Sequence, residues 1–245
     1  MDLTDLVAKL SGDAAIGLGL ASGDIREAAL VKAVDFARLQ IFSDAASLLD
    51  ALGDGTVAAG VRGSLPSTGF LYVLRRRHSQ VSLRRVALMV QPGGEPFLLG
   101  PVGIDEGGTL EAARELAGDM REFCRLLGWE AKIGVLSAGR AEDGGRSQAI
   151  ASSIAIGEAA AAEAGVRHFN IMIEEALAWA NCVIAPNGVT GNLVYRTLAH
   201  VGAGLSLGAL YFPLSLRLAD TSRNGTVEEY VGAVALAALA AAGQD

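Results

Sequence analysis

Short apolar runs alternate along this chain with longer segments whose apolar residues recur at helical spacing, and polar stretches bearing Gly or Pro separate the two. The pattern predicts a strand at Ala15 to Leu20, helices at Ile25 to Phe36 and Ala46 to Leu52, a strand at Val57 to Val61 and a helix at Phe70 to Arg77. Val86 to Val90 and Pro96 to Gly100 read as a strand pair, because Pro92-Gly93-Gly94 between them favours a tight turn. A helix from Thr109 to Leu127 is expected next, with Thr109 as its N-cap, Glu111 in its first turn and Gly128 as its stop. Then come a strand at Lys132 to Leu136, a Gly-rich loop to Gly145, a helix at Ser147 to Ala164 and a strand at Asn170 to Ile173. A short helix at Glu174 to Ala180, a strand at Cys182 to Ala185 and a helix through Tyr195-Arg196 follow. Such alternation favours a mostly parallel sheet covered by helices on both faces. The Ala/Leu-rich stretch from Val231 to Ala242 is too short to span a bilayer and reads as a buried helix.

Composition narrows the function. Hydrophobic residues make up 51% of the 245, which excludes disorder as a description of the whole and allows one large α/β domain or two small ones. A formal net charge of −7 argues against a nucleic-acid partner, which needs a basic surface to neutralise phosphates. The start Met1-Asp2-Leu3-Thr4-Asp5 lacks the basic and apolar regions of a signal peptide, so a cytoplasmic protein with no membrane partner is expected. Cys124 and Cys182 give neither a disulfide framework nor a zinc pattern and are expected as reduced core residues. His168 and His200 have no metal spacing, and no metal is expected.

The candidate chemistry lies in loops at strand ends, where open α/β sheets form their ligand crevice and a helix N-terminus offers free N–H groups to an anion. Pro186-Asn187-Gly188-Val189-Thr190-Gly191-Asn192 places amides and a hydroxyl directly before a helix, and turn chemistry alone accounts for much of this composition. Ser222-Arg223 offers a hydroxyl and a planar guanidinium fork to a phosphate or carboxylate. The plain alternative is a loop arginine in a surface salt bridge. Glu228-Glu229 satisfies a helix-dipole preference, and a base role for Glu229 needs other support. Gly60 to Thr68, with Arg62 and Ser64, reads equally as an anion cradle and as an ordinary helix cap; Ser137 to Arg140 is similar. Gly17, Gly19 and Gly23 have the wrong spacing for a dinucleotide fingerprint, and the basic clusters Arg75 to His78 and Arg84-Arg85 read as solvated helix ends or phosphate contacts.

Pro186-Asn187-x-x-Thr190-Gly191-Asn192-x-x-Tyr195-Arg196, with Asp220-x-Ser222-Arg223 and an acidic residue after it, resembles the C-terminal signature of the phosphate acetyl- and butyryltransferases. Asn187, Asn224 and Glu229 stand where that family usually has Asp, Gly and Asp. A second resemblance is to the methanogenesis-marker family MtxX, labelled methyltransferase-related. It shares loops like Val61-Arg62-Gly63 and Leu136 to Arg140 and a segment like Pro101 to Gly107.

The resemblance implies a three-layer α/β/α fold of the phosphate acetyltransferase-like type, within the isocitrate/isopropylmalate dehydrogenase-like superfamily. Its two lobes, 1–83 with 213–245 and 84–212, would flank a cleft. It implies a transferase that binds a small phosphate-bearing or acidic molecule there, with coenzyme A or another thiol coenzyme as partner. In acyl transfer Ser222 and Arg223 would hold phosphate and Glu229 would deprotonate the thiol. Arg62, Ser64, Ser137, Arg140, Asn187, Thr190, Gly191 and Asn192 would bind substrate. A methyltransferase-associated protein and a non-catalytic ligand sensor are the alternatives. The apolar helices Ile150 to Ala164 and Leu193 to Gly204 add the expectation of a homodimer.

Overall fold

The computed structural model describes residues 2–10 and 14–243; the expected lobe ends at Met1 and Asp245 lie outside the described residues. The chain forms two compact units, Met1–Leu83 with Ser206–Asp245, and Arg84–Leu205. The first unit begins with α1 (Leu3–Val7), β1 (Ala15–Gly19), α2 (Glu27–Ala33), β2 (Arg38–Phe42), α3 (Ala45–Gly53), β3 (Ala59–Val61) and α4 (Ser67–Arg77). Strand β2 stands where no strand was expected. Its alternating Arg-Leu-Gln-Ile-Phe pattern is half exposed, as an edge strand's is, and α2 ends before it because Val34 turns extended.

The second unit contains β4 (Arg84–Val90), β5 (Pro96–Gly100), α5 (Leu110–Leu127), β6 (Ile133–Val135), α6 (Gln148–Ala164), β7 (Arg167–His168), α7 (Ile173–Leu177), β8 (Cys182–Ile184) and α8 (Gly188–Arg196), the last continued by a π-helical turn at Thr197–Val201. Strands β4 and β5 pair antiparallel, Ala87 opposite Leu99, through the expected Pro-Gly-Gly turn, and β5-β8-β6-β7 pair parallel. The strand expected at Asn170 to Ile173 is displaced to Arg167–His168. Asn170 takes a left-handed φ of 53°, which breaks an extended run, and Ile173 opens a helix. Helix α5 is capped as its sequence requires: Thr109 Oγ1 accepts from Ala112 N, and Gly128 is left-handed at φ 69°. Cys124 and Cys182 are free and buried, their sulfurs 3.3 Å apart.

The chain returns to the first unit as β9 (Leu205–Phe212), β10 (Leu218–Asp220) and α9 (Val227–Ala242). The sheet of this unit runs β2-β1-β3-β10-β9, parallel except for the β10–β9 pair. Helix α9 is the buried helix its composition predicts. Its small residues let it lie against β9, where a side chain on Gly232 would meet the Leu207 backbone at 2.6 Å. Among the described residues, no helix is long and apolar enough to cross a membrane.

Candidate functional site

Strands β1, β3 and β10 are parallel neighbours, so the loops after their C-terminal ends meet at one edge of the first unit. Arg62, directly after β3, is 5% exposed. Its Nε lies 2.5 Å from Asp220 Oδ1, Nη1 donates to the Leu65 carbonyl at 2.6 Å, and Nη2 donates to the Thr221 carbonyl. Tyr211 Oη donates to the other Asp220 oxygen at 3.2 Å, and Thr221 N donates to Asp220 Oδ1 at 2.9 Å. Arg62 was expected to hold substrate; here its guanidinium ties the β3 loop to the β10 loop. Ser64 does similar work, its buried hydroxyl accepting from Ala21 N at 2.9 Å near the Asp24 carboxylate.

That carboxylate belongs to an ion pair the sequence reading missed. Arg26 Nε and Nη2 donate to the two Asp24 oxygens at 2.8 and 2.6 Å, and the arginine's hydrogen bonds hold the carboxyl well below the usual range despite burial. Arg26 Nη1 reaches across to accept-ready carbonyls of Arg223 and Gly225, at 2.9 Å each, while the guanidinium lies 4.2 Å from the centre of the Tyr230 ring. Burial pushes the Tyr230 phenol up. The available signal was Asp24-x-Arg26 straight after the first strand, a spacing that lets a carboxylate and a guanidinium pair.

Ser222 and Arg223 lie in the loop after β10, and Glu229 stands in the first turn of α9 that follows it. Glu229, 4% exposed, accepts from Ser222 N at 2.8 Å on Oε1, and its own N–H donates to the cap Thr226 Oγ1 at 3.2 Å. Ser222 is half-buried and Arg223 is exposed. Among the described residues the Arg223 guanidinium makes no ion pair, so the surface salt bridge that was its plain alternative is absent.

In the second unit, Ser137 and Asn187 stand at the C-terminal ends of β6 and β8. Asn187 lines a cavity of about 180 Å³ together with Val135, Leu136, Ile156, Ile184 and Ser152. Ser137 Oγ donates to the Gly139 carbonyl at 3.0 Å and lies 3.1 Å from His168 Nε2; burial holds the imidazole below its ordinary value. Arg140 is exposed, with Nη2 3.4 Å from Met172 Sδ. Asn187 is the N-cap of α8: its Oδ1 accepts from Thr190 N at 2.9 Å and Thr190 Oγ1 at 3.1 Å. Gly191 packs where a Cβ would stand 2.0 Å from the Pro101 carbonyl, and Asn192 Nδ2 donates to the Val102 carbonyl at 2.9 Å. The Thr-Gly-Asn sequence thus docks α8 on the segment after β5. That segment is pinned in turn by buried Glu106, which pairs with Arg85 Nε at 2.6 Å. Among the described residues, no group of three or more His, Cys, Asp or Glu could hold a metal.

These loops can be set beside known proteins. No family model matches the chain. It is 39% identical over 183 residues to a Methanosarcina mazei protein named as subunit X of an mtx methyltransferase, a match spanning 73% of this chain and 65% of that protein. It is 31% identical over 234 residues to the uncharacterized methyltransferase MJ1371 of Methanocaldococcus jannaschii, covering 90% of this chain and 94% of the relative. The chain belongs to the methyltransferase-related MtxX family. Among solved structures, MtxX shares its fold with a branched-chain phosphotransacylase from Enterococcus faecalis, at TM-score 0.68 and 18% identity over 92% of this chain and 99% of that one. The EutD phosphotransacetylase of Staphylococcus aureus gives TM-score 0.63 at 16% identity, covering 98% of each chain. The α/β fold of this chain is therefore the one seen in these phosphotransacylase structures.

Proposed function

We propose that this MtxX protein is a transferase whose Ser222-Arg223 loop binds a phosphate-bearing or acidic small molecule. The observation that carries the reading is an exposed guanidinium without an acidic partner among the described residues, displayed on a loop whose backbone is held on both sides. Glu229 takes the Ser222 N–H, and Arg26 takes the Arg223 and Gly225 carbonyls. A fixed loop at the C-terminal edge of parallel strands presents its fork to an anion without first having to order itself. Arg140 is a second exposed arginine available to an acidic ligand, in the other unit.

The chemistry that follows from the superfamily is acyl transfer between phosphate and a thiol such as coenzyme A. The thiol gives its proton to Glu229, and the thiolate sulfur attacks the acyl carbonyl carbon. As the tetrahedral intermediate collapses, the bond from that carbon to the phosphate oxygen breaks and phosphate leaves held by Ser222 and Arg223, which also stabilise charge on the carbonyl oxygen. Methyl transfer to a thiol acceptor is the second reading, favoured by the names of the Methanosarcina and Methanocaldococcus relatives. Incubation with acetyl coenzyme A and phosphate tests the first reading. Acetyl phosphate formed by wild type and lost in Ser222→Ala supports it. Its absence, with methyl transfer to a thiol detected instead, moves the assignment to the second, and thermal stabilisation by phosphate with neither reaction leaves a ligand sensor. We infer a homodimer, which light scattering at micromolar concentration reads directly; a monomer mass contradicts it.

A further inference from the structure

We infer that Asp24 and Arg26 are the positioning device of the anion site: a half-buried fork that sets the backbone of residues 222–225 and thereby aims Arg223. The inference rests on the reading that Arg223 holds the anion. Its geometry is independent of that reading. Arg26 spends Nε and Nη2 on the two oxygens of Asp24 at 2.8 and 2.6 Å, and Nη1 on the carbonyls of Arg223 and Gly225 at 2.9 Å each. The Asp24 carboxylate is itself fixed, accepting from Arg26 N at 3.0 Å, and the face of the guanidinium rests on Tyr230.

The pair therefore joins the loop after β1 to the loop after β10, while Ser64 separately ties the loop after β3 to Ala21 of the first. The pair touches the loop after β10 at Arg223, whose side chain is exposed and makes no ion pair among the described residues. A planar fork is required for this. An ammonium in its place is one point charge on a flexible stem, and it cannot bind both carboxylate oxygens and two carbonyls together. Once the fork is gone, the Arg223 and Gly225 carbonyls turn to water, and the loop must be ordered each time an anion binds. Arg26 is thus a positioning residue, acting through Arg223 and making no contact with the ligand.

The test uses inorganic phosphate as probe, with calorimetric affinity and backbone hydrogen exchange as readouts on wild type, Arg26→Lys, Asp24→Asn, Arg223→Ala and the Arg26→Lys/Arg223→Ala double variant. Arg26→Lys is expected to weaken phosphate binding by roughly tenfold, the scale of re-ordering a short loop. It should speed exchange of the amides of residues 222–226 while leaving β1, β3 and β10 protected, and Asp24→Asn should do the same. In the Arg223→Ala background, Arg26→Lys should weaken binding no further. Wild-type affinity in Arg26→Lys, or an equal loss whether or not Arg223 is present, overturns the inference and leaves the role of Arg223 standing. Unchanged phosphate affinity in Arg223→Ala overturns the role of Arg223 and the inference with it. Arg26→Lys and Asp24→Asn keep side-chain size, and a loss of exchange protection spread through the β1, β3 and β10 core would show a merely structural role and also overturn the inference.

Discussion

Arg62, Arg223 and Arg26 share one loop cluster, and the difference between their tasks is a matter of partners. Arg62 is buried against Asp220 and two carbonyls, Arg26 is half-buried against Asp24 and two carbonyls, and Arg223 is exposed with no ion pair among the described residues. Removing one member of a buried pair strands the other without solvation. Arg62→Ala should therefore cost about 3–5 kcal/mol of folding stability, by leaving Asp220 an unpaired buried carboxylate. Denaturant unfolding measures it. A variant that unfolds at the wild-type midpoint while losing phosphate affinity would return Arg62 to the ligand. The sequence could not separate these roles, because Ser- and Arg-bearing loops of the same composition either bind anions or stitch neighbouring loops together. The decision is made by Asp220, whose distance from Arg62 in the chain hides the pairing.

At the level of elements, the periodic signal carried most of the architecture. The long helices α5, α6 and α9 and the β4–β5 hairpin stand where apolar spacing and turn residues place them. What failed to show was short or edge-like: β2, half exposed, and β7, whose two residues offer no period to read. The Asn187 to Asn192 motif was legible as a strand-to-helix loop, but its glycine serves packing. A methyl group on Gly191 would stand 2.0 Å from the Pro101 carbonyl, a backbone atom held by the segment that Glu106 pins. Gly191→Ala should lower stability by roughly 1–3 kcal/mol, through the backbone shift that overpacking forces. Thermal melting checks this. An unchanged melting temperature together with lost ligand affinity would show instead that Gly191 meets the ligand.

For the whole molecule, a net charge of −7 sets the background against which an anion must be recruited. Binding a phosphate-bearing ligand then depends on local fixed charge and aligned donors more than on long-range attraction. The parallel strands β1, β3 and β10 supply the edge, the Asp24–Arg26 and Arg62–Asp220 pairs tie the loops above it, and Arg223 is the exposed guanidinium on which the proposed anion site rests. Its relatives are named as methyltransferases and its fold is shared with phosphotransacylases, so the two comparisons differ on the group transferred. The central claim is thus the anion grip of Arg223, and calorimetric titration of phosphate into wild type and Arg223→Ala tests it most directly. Loss of a charge-assisted contact should weaken binding by ~10- to 100-fold with the melting temperature kept, and Arg223→Lys should restore little of it. Equal affinity of wild type and Arg223→Ala for phosphate would contradict the account.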